Sequence, residues 1–137
     1  MNIALLENRL RRIDSCLEIL LFSLNHLDEK NIELSLRIIF NISYTYHRKG
    51  LHNSALSYAN EGISLSVKDN NFSILGLLFF RKGIAEFNLN DFNYLNSLNK
   101  SLSFYELAGQ ENLKRNLLKI CKEKKIVLNN ATDTWTE

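Results

Sequence analysis

Small and aromatic residues fall at fixed offsets in the segment SYTYHRKGLHNSALSYANEGISL, residues 43–65, and this spacing constrains the fold more than any other feature. Leu36, Ile39 and Ile42 precede it at intervals of three, so they share one face of a helix with Tyr46. Gly50 supplies the left-handed residue that ends a helix. Ala55 and Gly62 then fill two small positions on a second helix, and Ala59 stands where an aromatic is expected. Small residues at Ser43, Ala55 and Gly62 allow two helices to approach closely, and Tyr46 fills the space beside them. A second pair starts within FFRKGIAEFNLNDF (79–92), with Gly83 at the small position, Asn90-Asp91 at the turn and Phe92 after it. Its second helix fits less well, because Leu95 and Asn99 stand where a small and an aromatic residue are expected. Tyr46 and Phe87 are 41 residues apart, so the period is irregular.

Apolar residues at helical spacing continue through most of the chain, and with no proline and 5 glycines there is little turn chemistry for an all-β protein. The pattern predicts an all-α fold of about six helices in antiparallel hairpins. The first covers 3–27, and Asp28 is the expected N-cap of the second, which runs to Gly50. The others are expected over 52–68, 71–89, 92–108 and 110–127. Residues 1–127 then form one helical-hairpin domain. Residues 128–137, which contain Trp135, lack any period and are expected to be a flexible tail. The stripe LEILLFSL (17–24) is apolar on all sides, so the first helix is expected either to cap the domain or to form a dimer contact, with burial within one chain as the competing reading.

At 45% hydrophobic and 23% charged residues the composition is that of a folded domain. The formal charge of +2 is too small for a nucleic-acid footprint. The basic stretch NLKRNLLKICKEKK (112–125) reads as a solvated helix with cations toward its C-terminus. Cys16 and Cys121 lie far apart in the sequence and are expected to be reduced core thiols. The N-terminus does not have the form of a signal peptide, and ILLFSL is far shorter than a membrane span, so a cytoplasmic setting is expected.

Catalytic signatures are absent. The sequence holds no phosphate-binding loop, no dinucleotide-binding glycine pattern and no GxSxG. His47 and His52 straddle a helix end rather than sharing a helical face, and no carboxylate stands at ligand spacing, so neither a metal nor another cofactor is expected. An enzyme is not expected either.

The segment 36–69 resembles a 34-residue tetratricopeptide unit. The stretches YHRKGLHNSALSYANEGISLS, LLFFRKGIAEFNLNDFNYLNSLNKSL and LAGQENLKRNLLKI together resemble the peptide-sensing regulators of the Rgg and PlcR-like group in Gram-positive bacteria, over about residues 32–126. The resemblance implies that a short signalling peptide lies on a concave surface formed by the first helix of each pair, as in quorum sensing and transcription regulation. It also implies a DNA-binding domain ahead of the repeats. Residues 3–27 read as one long helix instead, so the chain is expected to be the sensory part of a longer regulator or a stand-alone relative that does not itself contact nucleic acid. A homodimer or a larger regulator chain is the expected assembly, and no membrane is involved.

On that surface the peptide-binding candidates are Arg37, Asn41, Tyr44, Arg48, Phe80, Arg81 and Asn88. Asparagine offers two donors and an acceptor to an extended peptide backbone. Arginine clamps carboxylates, and aromatics give rigid contact area. Asn41 and Arg81 occupy matching places in their units and are the first choices. A stand-alone tetratricopeptide adaptor or chaperone for a protein segment is the alternative. A nucleic-acid accessory role would rest on Lys119, Lys122 and Lys125.

Overall fold

Six helices account for the periodic sequence: α1 Ile3–His26, α2 Ile32–Arg48, α3 His52–Lys68, α4 Leu75–Asn88, α5 Tyr94–Leu107 and α6 Glu111–Glu123. The computed structural model describes residues 3–128. Within them the protein is all-α, a tetratricopeptide-like stack in which each helix packs on the next and α2 also touches α4. Residues 129–137, including Trp135, lie outside the described residues.

The helices α2 to α6 all stop in one way. A left-handed residue follows the last turn: Gly50 (φ 77°), Asn70 (54°), Asn90 (58°), Gly109 (67°) and Lys125 (60°). Each time the next amide reaches back to a carbonyl inside the helix, as from Leu51 to Tyr46 at 3.0 Å and from Ile126 to Cys121 at 2.8 Å. These bonds satisfy carbonyls that a helix end otherwise strands. The N-cap of α2 is Asn31, whose side chain accepts the Leu34 amide. Asp28, the expected cap, instead holds the preceding turn by accepting the Lys30 amide at 3.0 Å.

Close approach explains the small residues. Ser43, Ala55, Ala59 and Gly62 are all buried, and the Ser43 hydroxyl donates to the Ala55 carbonyl at 2.7 Å. A Cβ on Gly62 would stand 2.8 Å from Leu78 Cδ2, so α4 lies directly against α3 there. Tyr46 stacks on Tyr58, which supplies the ring one residue before Ala59.

The second pair fits better than its sequence suggests. Ser97 and Ser101 are the buried small residues of α5, two positions beyond Leu95 and Asn99. The shift matches the longer turn: residues 89–93 separate α4 from α5, whereas 49–51 separate α2 from α3. Ser101 donates to the Gly76 carbonyl at 2.6 Å, and Ser97 bonds the buried Glu86 carboxylate at 2.5 Å.

Two ends differ from expectation. Helix α6 stops at Glu123, because Lys125 turns the chain back and buries Ile126 and Leu128 in the cluster of Phe80, Ile84, Leu98, Leu102, Tyr105, Leu117 and Cys121. Leu128, placed in the tail by its lack of period, is therefore a core residue. In α1 only Ile13 and Leu17 are buried, while Ile19 and Phe22 are 66% and 63% exposed. Burial within one chain thus covers Leu17 and part of Leu20, Leu21 and Leu24, and leaves Ile19 and Phe22 in solvent. Cys16 is exposed, contrary to the expected core thiol, whereas Cys121 is buried and burial raises its pKa. No described helix is long and apolar enough to cross a membrane.

Candidate concave peptide groove

Helices α2, α4 and α6 are the first helices of successive pairs, so their N-termini converge at one end of the stack. A groove of about 370 Å³ opens there. Leu36, Phe40, Ile74 and Leu77 give it an apolar floor, while Glu33, Arg37, Asn41, Asn71, Ser73 and Gln110 rim it. Apolar burial with a few oriented polar groups is what small-ligand and peptide sites use.

Of the expected residues, Arg37 and Asn41 line this groove. Arg37 pairs with Glu33 at 3.1 Å, and both side chains are largely exposed, so the pair contributes little to stability. The Asn41 amide donates to the Arg37 carbonyl at 3.0 Å. Gln110 and the α3–α4 loop residues were not expected in the site. The Gln110 side chain donates to the Ser73 carbonyl at 3.2 Å, tying the start of α6 to that loop. The signal for them was positional: the loops entering α4 and α6 must arrive at the end where α2 begins.

The other candidates lie further along the same helices. Tyr44 is one turn beyond Phe40 and is 42% exposed. Arg48 is exposed at the C-terminal end of α2, where it faces Leu5, Asn8, Arg9 and Arg12 of α1. Asn88, half-buried, ends α4. Phe80 is a correction, since at 5% exposure it belongs to the core cluster and offers no surface to a ligand.

Arg81 is also buried, at 7% exposure, so it does not share the exposed setting of Asn41. Its guanidinium lies 4.5 Å from the Phe80 ring centroid and 5.1 Å from that of Tyr44. Burial lowers its pKa to about 10, which still leaves it charged at neutral pH. Nε and Nη1 are buried without a hydrogen-bond partner.

His47 lies beside it, with its pKa lowered to about 4 by burial and by the charges of Arg81, His52 and Lys124. The Gly50 turn brings the His47 and His52 rings to 5.8 Å, a pairing that helical spacing alone did not reveal. Among the described residues no group of three or more His, Cys, Asp or Glu is arranged to hold a metal.

A stack of antiparallel helix pairs with an apolar, polar-rimmed groove on the face of its first helices defines a helical-repeat binding domain. The model of the RNPP family C-terminal domain matches residues 3–128, and the chain belongs to that family. This is the peptide-sensing region that the repeat motifs resemble. No curated protein and no solved structure gives a significant match.

Proposed function

We propose that the protein is the sensory domain of a peptide-responsive transcription regulator and that a short extended peptide lies in the groove between α2, α4 and α6. The observation that carries this reading is the groove itself, with an apolar floor for peptide side chains and amides on its rim. Asn41 and Gln110 offer donors and acceptors to a peptide backbone, and Arg37 can exchange its exposed partner Glu33 for a ligand group. Membership of the RNPP family supports the regulatory role.

Peptide binding would act by population shift. A ligand bridging three successive first helices favours the curvature that best fits it, and it moves the equilibrium by its differential affinity for the two states. The apolar side of α1, at the far edge of the stack from α6, is where a second protomer or an adjoining regulator segment would sense that curvature. The test is isothermal titration of the chain against size-fractionated peptides from culture medium, with Arg37→Ala and Asn41→Ala alongside. Saturable binding weakened in both variants is expected. Saturable binding indifferent to both substitutions would place the ligand elsewhere.

A further inference from the structure

Arg81 is not explained by the fold. An unpaired buried cation costs several kcal/mol in desolvation. Its two ring contacts supply attraction to the guanidinium but no acceptor for its N–H donors. Helix dipoles account for Arg48 and Lys124, which lie at the C-terminal ends of α2 and α6. They do not account for Arg81, which sits in the middle of α4.

Tyr44 and Tyr105 lie against it, the charges of Arg81, His52 and Lys124 all bear on His47, and Arg48 lies 5.9 Å from the same Tyr44 ring. Among the described residues no ion pair reaches Arg81. Arg81 Nε and Nη1 are thus buried donors with neither an ion pair nor a hydrogen bond among the described residues. Arg81 lies one turn beyond the groove, because Tyr44 and Arg81 follow the lining residues Phe40 and Leu77 by four positions on the same helix faces.

We infer that Arg81, under the Tyr44 ring and near His47, is the floor of a carboxylate-binding subsite that receives a carboxylate of the peptide held in the groove. The inference rests on the peptide-binding reading and adds the chemistry the ligand must carry. The half-exposed Tyr44 ring covers the guanidinium and is the side chain a carboxylate displaces. The stranded N–H donors then gain acceptors, and the excess positive charge is neutralised. The carboxylate comes either from the peptide C-terminus or from an Asp or Glu side chain.

Sodium acetate, titrated into the nitrogen-15-labelled chain and followed at the arginine Nε–H resonances, tests the site directly. The Arg81 resonance, assigned by its loss in Arg81→Met, is expected to move and saturate, while that of Arg37 drifts only linearly. Equal linear drift at both would overturn the inference. Arg81→Met is expected to raise Tm by roughly 3 °C, since it removes an unpaired buried charge while keeping the volume. A lower Tm would mark Arg81 as a structural residue and count against the subsite.

A random heptapeptide library then separates the sources. Retention by the chain falling roughly tenfold on C-terminal amidation supports the peptide C-terminus. The same fall only when Asp and Glu are left out supports a side chain. Equal retention of all three libraries, unchanged in Arg81→Met, overturns the subsite and leaves the groove reading intact. No retention of any library overturns the peptide reading, and the peptide subsite with it, even if acetate saturates.

Discussion

Gly62 and Gly83 stand at helix contacts and Gly50 in a turn, and the three differ in what they allow. A Cβ on Gly83 would lie 2.5 Å from Leu98 Cδ2 and 3.3 Å from the Leu98 backbone nitrogen, and Leu98 is fully buried. A Cβ on Gly62 meets the flexible end of Leu78 at 2.8 Å, and one on Gly50 meets nothing but must accept φ of 77°. Gly83→Ala is therefore expected to lose roughly 1–2 kcal/mol in urea unfolding, the overpacking outweighing the gain in helix propensity. Gly62→Ala should cost less. Equal losses at the two sites would mean that α5 yields as easily as a leucine side chain.

His47 gives the residue scale its pH dependence. Its folded pKa of about 4 lies below the ordinary 6.5, so the unfolded chain binds the proton more readily between those values. The stability contributed by neutral His47 is complete above about pH 6.5 and is lost as pH falls toward 4. Thermal unfolding at pH 7 and pH 4.5 should show a drop in Tm that is smaller in His47→Gln. An equal drop in both would assign the dependence to carboxylates alone.

At the scale of elements, sequence and structure agree where one residue carries the instruction and part where the instruction is shared. Gly50 stops α2 as the sequence predicts, and Gly109 ends α5 in the same way. Lys125 gives no such sign, because a lysine is held in the left-handed region only by the packing of its neighbours: Ile126 and Leu128 fold onto the core. Ser97 and Ser101 were missed for a related reason, since a turn two residues longer moves every later small position by two. Leu128→Ala should lower stability by roughly 2–3 kcal/mol in urea unfolding, as for a core leucine. A change near zero would return residue 128 to the tail. The site was legible in the same uneven way. Arg37 and Asn41 fall on the groove by helical register, but register does not separate an exposed Asn41 from a buried Arg81 or Phe80, which depends on how α2, α3 and α5 pack around α4. Gln110 and Ser73 come from loops, where no period operates.

For the whole molecule, the two edges of the stack differ. At the α6 edge the returning chain seals the core with Ile126 and Leu128, whereas α1 leaves Ile3, Leu5, Ile19 and Phe22 in solvent. Repeat stacks bury an end helix only by capping or by a neighbour, so we propose the α1 edge as the place where this domain would meet another surface. Replacing Ile19 and Phe22 together by Ser is expected to leave the far-ultraviolet dichroism unchanged while lowering the apparent mass in sedimentation at micromolar concentration. An unchanged mass would remove α1 from any self-association.

The central claim, that the concave groove is the ligand site, is tested most directly by hydrogen exchange with and without a retained heptapeptide. Slower exchange over 33–41 and 71–77, with α1 unprotected, is the result this account predicts. Protection confined to α1 or to the outer face of α6, with the groove segments exchanging as before, would contradict it.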